Sequence, residues 1–413
     1  MTTVAINGAA QLLRPPEDGQ PFLRHDRAGE QRLDPGSLLI EGDAIAGWET
    51  SASADVRIDA AGCAVIPGFV DCHTHLPFAG WREGEYERKL AGESYESISR
   101  SGGGIRSSGR SLAQSSDEQV LEQAQTLAAE MLAHGTTAFE CKSGYGLSPE
   151  GEVRSVALAA ALAGRVPQPT RSTGLLAHAV PEGYDRSSWM DEVQRMLPDV
   201  LAAGKVSALD IYVESVAFSN DDLRRMGGLA SDNSLDLRAH VEQFSANHSV
   251  PVAVELGARS VDHLSCLPAD EVPGLAESET AAVLLPGAEF LGREQIPPAR
   301  ELADAGAICV LATDLNPGTS PVLSIPVVIG LAVRHYRWSA LEAVLASTLN
   351  AAWVLRMSDH TGSLEPGKRA DVLVLDGPIE RIAYRFGRNP VAAAIVGGSL
   401  AYVRADFIGR VSR

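Results

Sequence analysis

The chain has 413 residues, with 35 Lys and Arg against 53 Asp and Glu, a formal net charge of −18. With 45% hydrophobic and 21% charged residues it reads as a folded globular protein, long enough for two or three domains or for one α/β barrel with an appendage. The acidity argues against a general nucleic-acid surface and against an anionic membrane surface, because both need a basic footprint, but a small anion needs only one or two local cations.

The first twenty residues lack a basic stretch followed by an apolar one, and no run reaches the ~20 apolar residues of a membrane span. Cys63, Cys72, Cys141, Cys266 and Cys309 are odd in number, scattered and form no CxxC, which points to a reducing compartment and a cytoplasmic location. Strands are expected at 3–6, 37–40, 44–48 and 56–59, separated by Gly and Asp turns. A second β-rich stretch follows much later, at 370–375, 391–396 and 400–403. Neither end makes a domain alone. Together, 1–66 and 364–413 predict one small composite β-sandwich.

The middle, 67–363, alternates short apolar runs with helical stretches. Strands are expected at 66–72, 137–142, 172–177, 209–213, 237–239, 261–264, 282–285 and 308–312. Residues 118–133 carry apolar positions at i, i+3 and i+4, a helix period. Eight strand-helix units predict an α/β fold, a (β/α)8 TIM-like barrel, more readily than an open sheet. The connection 76–117 is long, charged and contains Gly102, Gly103 and Gly104; it is expected to lie over the site as a lid.

The sharpest local feature is Asp71-Cys72-His73-Thr74-His75, directly after an apolar run. Residues two apart on a strand share a side, so His73 and His75 project together from the end where barrel enzymes place their chemistry. HxH alone is weak, since two polar residues in a turn look the same. The other strand ends sharpen it. Strand five ends in His240, strand six in Asp262-His263 and strand eight in Thr313-Asp314. His73, His75, His240 and Asp314 make a plausible mononuclear metal site with room for water. Water on such a cation loses a proton near neutral pH. Asp314 can take that proton, and His263 can share the shuttle or polarise the attacked group. There is no GxSxG elbow, Cys72 has no base of its own, and Ser143-Gly144-Tyr145-Gly146-Leu147 lacks the GK[ST] ending of a phosphate loop.

These residues sit in longer stretches: PGFVDCHTHLPFAG (67–80), HGTTAFECKSGYGL (134–147), LLAHAVP (175–181), RAHVEQFS (238–245), LATDLNPGTSP (311–321) and GSLEPGKRADVLVLD (362–376). In them the chain resembles the amidohydrolase superfamily, and the SGYGL, AHAVP and DLNPGTSP pieces narrow the resemblance to its imidazolonepropionase family. The resemblance implies a distorted (β/α)8 barrel with a β-sandwich from both chain ends. It also implies one zinc or iron ion and hydrolysis of 4-imidazolone-5-propanoate to N-formimidoyl-L-glutamate. It assigns metal ligation to His73, His75, His240 and Asp314. It expects no carboxylated lysine, and suggests a homodimer. Substrate contacts carry over to Arg82, for the propanoate, and to Tyr145, His178, Gln243, Asn316, Gly318 and Thr319. Which of His263, Gln243 and Asp314 begins proton transfer stays open. The chain departs from the family pattern at Trp81, at Val241-Glu242-Gln243-Phe244 and at Ala288-Glu289-Phe290, with Trp81 and Phe244 expected to reshape the pocket wall. Two rivals stand beside this reading. One is another cyclic amidohydrolase or deaminase of the superfamily, acting on a related small anionic heterocycle. The other is a silent binding protein, which would have no need of all four ligands and His263.

Overall fold

The structure, a computed structural model, describes residues 2–49, 53–94, 97–98, 101–292 and 295–412. The N-terminal strands are β1 (Thr3–Arg14), β2 (Arg32–Glu41), β3 (Ala44–Gly47), β4 (Val56–Asp59) and β5 (Ala64–Pro67). The barrel strands follow: β6 (Phe69–Asp71), β7 (Thr136–Lys142), β8 (Thr170–Ala177), β9 (Val206–Tyr212), β10 (Asp236–Val241), β11 (Ser260–His263), β12 (Ala281–Leu284) and β13 (Cys309–Leu311). The chain closes with β14 (Val372–Leu375), β15 (Val391–Val396), β16 (Ser399–Val403) and β17 (Val411–Ser412).

All eight barrel strands fall where the apolar runs place them, and they pair in chain order, each parallel to the next. The circle is joined beyond the strand ends. Thr74 bridges Leu315, the Asp314 amide donates to the His73 carbonyl at 3.0 Å, and the His75 amide donates to the Leu315 carbonyl at 2.9 Å. Asp71 reinforces this seam by accepting from the Thr313 amide and hydroxyl, at 3.1 and 2.6 Å. The two predicted groups of metal ligands, on the first and eighth strands, are therefore held together by backbone.

The other nine strands form one mixed sheet, ordered β16-β15-β14-β5-β1-β2-β3, with β4 on β1 and β17 on β4. Its buried side includes Val4, Ile6, Leu38, Ile40, Val65, Val372, Val374 and Ile395. Two sequence expectations change here. Strand 3–6 continues to Arg14, because Gly8, at φ 69°, takes up a register shift as a bulge rather than a turn. The expected strand 66–72 is two strands: Gly68 N bonds Asp371 O of the mixed sheet at 2.9 Å, and Phe69 N bonds Gly135 O of the barrel at 3.0 Å.

The 76–117 connection contains helices Glu83–Leu90 and Ile105–Gln114. Phe78 and Leu112 anchor it in a buried cluster with Val120, Met131 and Leu315. No described helix is long and apolar enough to cross a membrane.

His25 packs on Trp338 with ring centroids 4.2 Å apart, and neither ring nitrogen has a hydrogen-bond partner among the described residues. Burial pushes its pKa down from 6.5 to about 4. The unfolded chain therefore takes up this proton first. Stability is full above pH 6.5 and falls as the pH drops toward 4, by up to about 3 kcal/mol from this residue. In His25→Phe the loss of stability between pH 6.5 and 4, measured by urea unfolding, should be shallower than in the wild type. An unchanged slope would remove His25 as a cause.

Candidate active site

Alternation along the strands explains which side chains face inward. On β7, Phe139 and Cys141 pack outward against Leu121, Ala124 and Leu158, so Glu140 and Lys142 point into the barrel. On β10, Leu237, Ala239 and Val241 join the outer core, and Arg238 and His240 point inward. On β9 and β11 the same parity turns Asp210 and Asp262 inside.

At the C-terminal mouth of the strands the predicted ligands converge. One nitrogen from each of His73, His75 and His240 lies within 4.8 Å of the others. Asp314 Oδ1 is 3.4 Å from His73 Nε2 and 3.2 Å from His75 Nε2. Two of these imidazoles are fixed from behind. His73 Nδ1 meets Asp262 Oδ2 at 2.6 Å, and His240 Nδ1 meets Asp210 Oδ1 at 3.1 Å. A carboxylate can only accept, so each Nδ1 carries the proton and each Nε2 presents a lone pair. His73 Nε2, His240 Nε2 and His75 Nδ1 are buried with no hydrogen-bond partner among the described residues. Buried imidazole nitrogens left bare, two with their tautomer fixed by a carboxylate, beside a shared carboxylate, are what a borderline cation such as zinc or iron fits.

The electrostatics agree. Burial alone would raise Asp314, but the close His73 and His75 imidazoles hold it well below the usual carboxylate range. Burial pulls His75 down to about 4 and His263 to about 3, so both are neutral near pH 7. His263 has φ 82° and its ring centroid is 5.4 Å from that of His240. A neutral His263 can donate one hydrogen bond into the site without bringing a competing positive charge.

Above the cluster is a pocket of about 390 Å³. Arg82, Tyr145, His178, Gln243, Asn316 and Thr319 line it together with His75, His240, His263 and Asp314. Six of the seven expected substrate contacts are thus brought to one cavity. Gly318 stands behind Arg82 and lines an adjoining cavity instead. A Cβ there would sit 1.4 Å from Arg82 Nη2, so the guanidinium lies directly on the glycine. Arg82 Nε and Nη1 are buried without a hydrogen-bond partner among the described residues. His178 donates from Nδ1 to Gly144 O at 3.0 Å, which leaves Nε2 as an acceptor. Of the two departures expected to reshape the wall, Phe244 lines the pocket. Trp81 packs edge-on against Phe78 at 5.0 Å and faces the adjoining cavity.

Sequence reasoning did not single out Ile105 and Tyr212, which also line the pocket, or Glu152 beneath Tyr145. The buried Glu152 carboxylate accepts from the Gly144 and Leu147 amides, both at 2.9 Å, and so clamps the loop that carries Tyr145. The signal was present in Ser148-Pro149-Glu150-Gly151-Glu152, a helix start with an acid on its inner face. Glu152→Gln replaces one accepting oxygen by a donor. It should cost about 1–3 kcal/mol of stability and raise KM, while bound metal stays stoichiometric; an unchanged KM with lowered metal would assign Glu152 to the metal end instead.

A family model described as the Amidohydrolase family matches residues 64–401. Among curated proteins, the imidazolonepropionase of Rubrobacter xylanophilus is 40% identical over 97% of this chain and 98% of that protein. The imidazolonepropionase of Herpetosiphon aurantiacus is 42% identical over 84% of each chain. That of Geobacillus thermodenitrificans is 35% identical over 97% of this chain and 95% of its own. Among solved structures, a Xanthomonas campestris adenosine deaminase with bound zinc superposes with a TM-score of 0.69 at 18% identity, covering 99% of this chain and 96% of that one. The Escherichia coli guanine deaminase does so at 0.69 and 16%, covering 98% of this chain and all of its own. At those identities the likeness is one of fold.

Proposed function

The chain belongs to the amidohydrolase family and, within it, to the imidazolonepropionases, and from this membership we infer how its own residues carry the reaction. The reaction is hydrolysis of the ring amide of 4-imidazolone-5-propanoate, giving N-formimidoyl-L-glutamate in histidine degradation. One observation supports the assignment of residues above all. The Arg82 guanidinium lines the same pocket as His75, His240 and Asp314, and His73 completes the His/Asp cluster beside them. An anion with a hydrolysable ring spans such a pair.

In this reading His73, His75, His240 and Asp314 hold one zinc or iron ion. When bound, that ion supplies Lewis acidity and lowers the pKa of a water. Arg82 takes the propanoate carboxylate through charge-assisted hydrogen bonds. Tyr145, His178, Gln243, Asn316 and Thr319 enclose the ring. Neutral His263 donates to the ring carbonyl oxygen as negative charge grows there. Asp314 accepts a proton from the attacking water. The ring C–N bond breaks, the nitrogen receives that proton, and the former carbonyl carbon becomes the new carboxylate. One water is consumed and no other reactant is needed. Residues 1–66 with 364–413 make one unit in this reading, and 67–363 the catalytic barrel.

Metal-assayed protein mixed with freshly generated imidazolone propanoate should remove the ring absorbance rapidly. Chelation should stop the reaction, and zinc or iron should restore it. Stoichiometric metal without ring opening would keep the metal site and move the substrate to another small anionic heterocycle.

A further inference from the structure

Beneath the proposed metal ligands the barrel interior carries five charged side chains in one continuous chain of contacts. Lys142 Nζ lies 2.6 Å from Asp210 Oδ2 and 3.1 Å from Glu140 Oε2. Glu140 also pairs with Arg238, whose Nη2 is 2.9 Å from Asp262 Oδ2. The outer carboxylates, Asp210 and Asp262, hold His240 and His73 respectively. The result is an internal arch: His240, Asp210, Lys142, Glu140, Arg238, Asp262, His73. All seven side chains are buried. The reaction as derived above uses none of the central three.

We propose that Lys142 is a positioning residue for the metal centre, fixing the Asp210 carboxylate so that its other oxygen holds the His240 Nδ1 and aims Nε2 at the ion. The two oxygens of Asp210 have different partners. Oδ2 takes the ammonium, and Oδ1 takes the imidazole and also the Ile211 amide, at 2.8 Å. Without the ammonium, Oδ1 keeps the Ile211 amide but Oδ2 loses its partner, so the carboxylate can turn about Oδ1 and the tautomer and ring plane of His240 are held less firmly. Arg238 does the same for His73 through Asp262, but it also bonds Ser260 Oγ and the Cys72 carbonyl, both at 2.8 Å, so its loss would disturb more than the ligand. Lys142 is the cleaner probe: its ammonium contacts, Asp210, Glu140 and a longer approach to Asp262 at 3.7 Å, all lie within the arch. The plain alternative is that the two cations only neutralise three buried carboxylates, with no consequence for the metal.

The inference rests on the ligand assignment proposed above, and the test separates the two. Zinc affinity is measured by chelator competition on intact protein, with Co(II) absorption as a second report of ligand geometry. His240→Ala tests the ligand set itself. Lys142→Gln and Asp210→Asn should each weaken zinc binding about 10–100-fold, the range for groups that orient a ligand, with an altered Co(II) spectrum. The neutral pair K142Q/D210N should bind no more weakly than D210N alone, since Lys142 acts through Asp210. If K142Q does not fold, the neutral pair, which buries no lone charge at this position, is compared directly with D210N. Wild-type affinity in K142Q or in the neutral pair, or losses that multiply in the pair, would overturn the proposal. Metal retained by His240→Ala would instead overturn the ligand assignment.

Discussion

His240→Ala should yield folded protein that purifies without stoichiometric metal and has no measurable turnover. The expectation follows from what the imidazole does at both of its nitrogens. Nδ1 is engaged by Asp210 at 3.1 Å, and Nε2 has no hydrogen-bond partner among the described residues. Alanine removes one of four ligand atoms and leaves a cavity in which Asp210, Lys142 and Glu140 keep their mutual contacts. The fold should therefore survive better than the metal. The activity loss should exceed the roughly 10–100-fold that removal of an outer supporting group costs. Asp314→Asn, by contrast, keeps a weaker ligand oxygen but loses the proton acceptor, and should lower kcat by roughly 10²–10⁴ with part of the metal retained. Full metal and wild-type turnover in His240→Ala would sink the ligand set.

Much of this site is legible in the sequence because barrel chemistry gathers at strand ends, and strand ends are marked by the close of an apolar run. His73, His75, His240, His263 and Asp314 were found that way, and the structure brings all five together. The arch below them was not found. Its members are separated by long stretches of chain: 68 residues between Lys142 and Asp210, and 98 between Glu140 and Arg238. No local period links such pairs. What the sequence did hold was parity. Glu140 and Lys142 are two apart in a strand that is otherwise uncharged, and Arg238 and His240 are two apart in β10. Charges at alternate positions of a buried strand must face one another across the barrel, since the outer face is covered by helices. The missed strand β5 has a different cause. The run Ala64–Asp71 is apolar throughout apart from its Pro, Gly and final Asp, so hydrophobicity does not show where it leaves one sheet and enters the other. That is decided by partners far away, Asp371 and Gly135.

Gly318→Ala should behave like a mutation of Arg82, although the two are far apart in sequence and the glycine has no side chain to offer. The added methyl would sit 1.4 Å from Nη2 and 2.0 Å from Cζ of Arg82. No rotamer of alanine avoids this, so the guanidinium must lift away from its seat. The backbone link between Arg82 N and Pro317 O, at 3.0 Å, limits how far the arginine can retreat as a whole. A displaced guanidinium can turn toward Glu85, whose Oε2 is already 3.7 Å from Nε, and would then be lost to the substrate. Arg82→Met removes two charge-assisted hydrogen bonds worth about 1.5–3 kcal/mol each, and should lower kcat/KM by roughly 10²–10⁴. Gly318→Ala should lose a large part of that, and the double variant should lose little beyond Arg82→Met, because both changes remove the same contact. Bound metal should stay stoichiometric in all three. The decisive comparison uses the imidazolone ring without its carboxylate. Wild-type protein should strongly prefer the propanoate, whereas the variants should turn over the two at similar rates. A Gly318→Ala protein that keeps the full preference would mean that Arg82 has room to bind from another position, and that the glycine serves only the turn after Pro317.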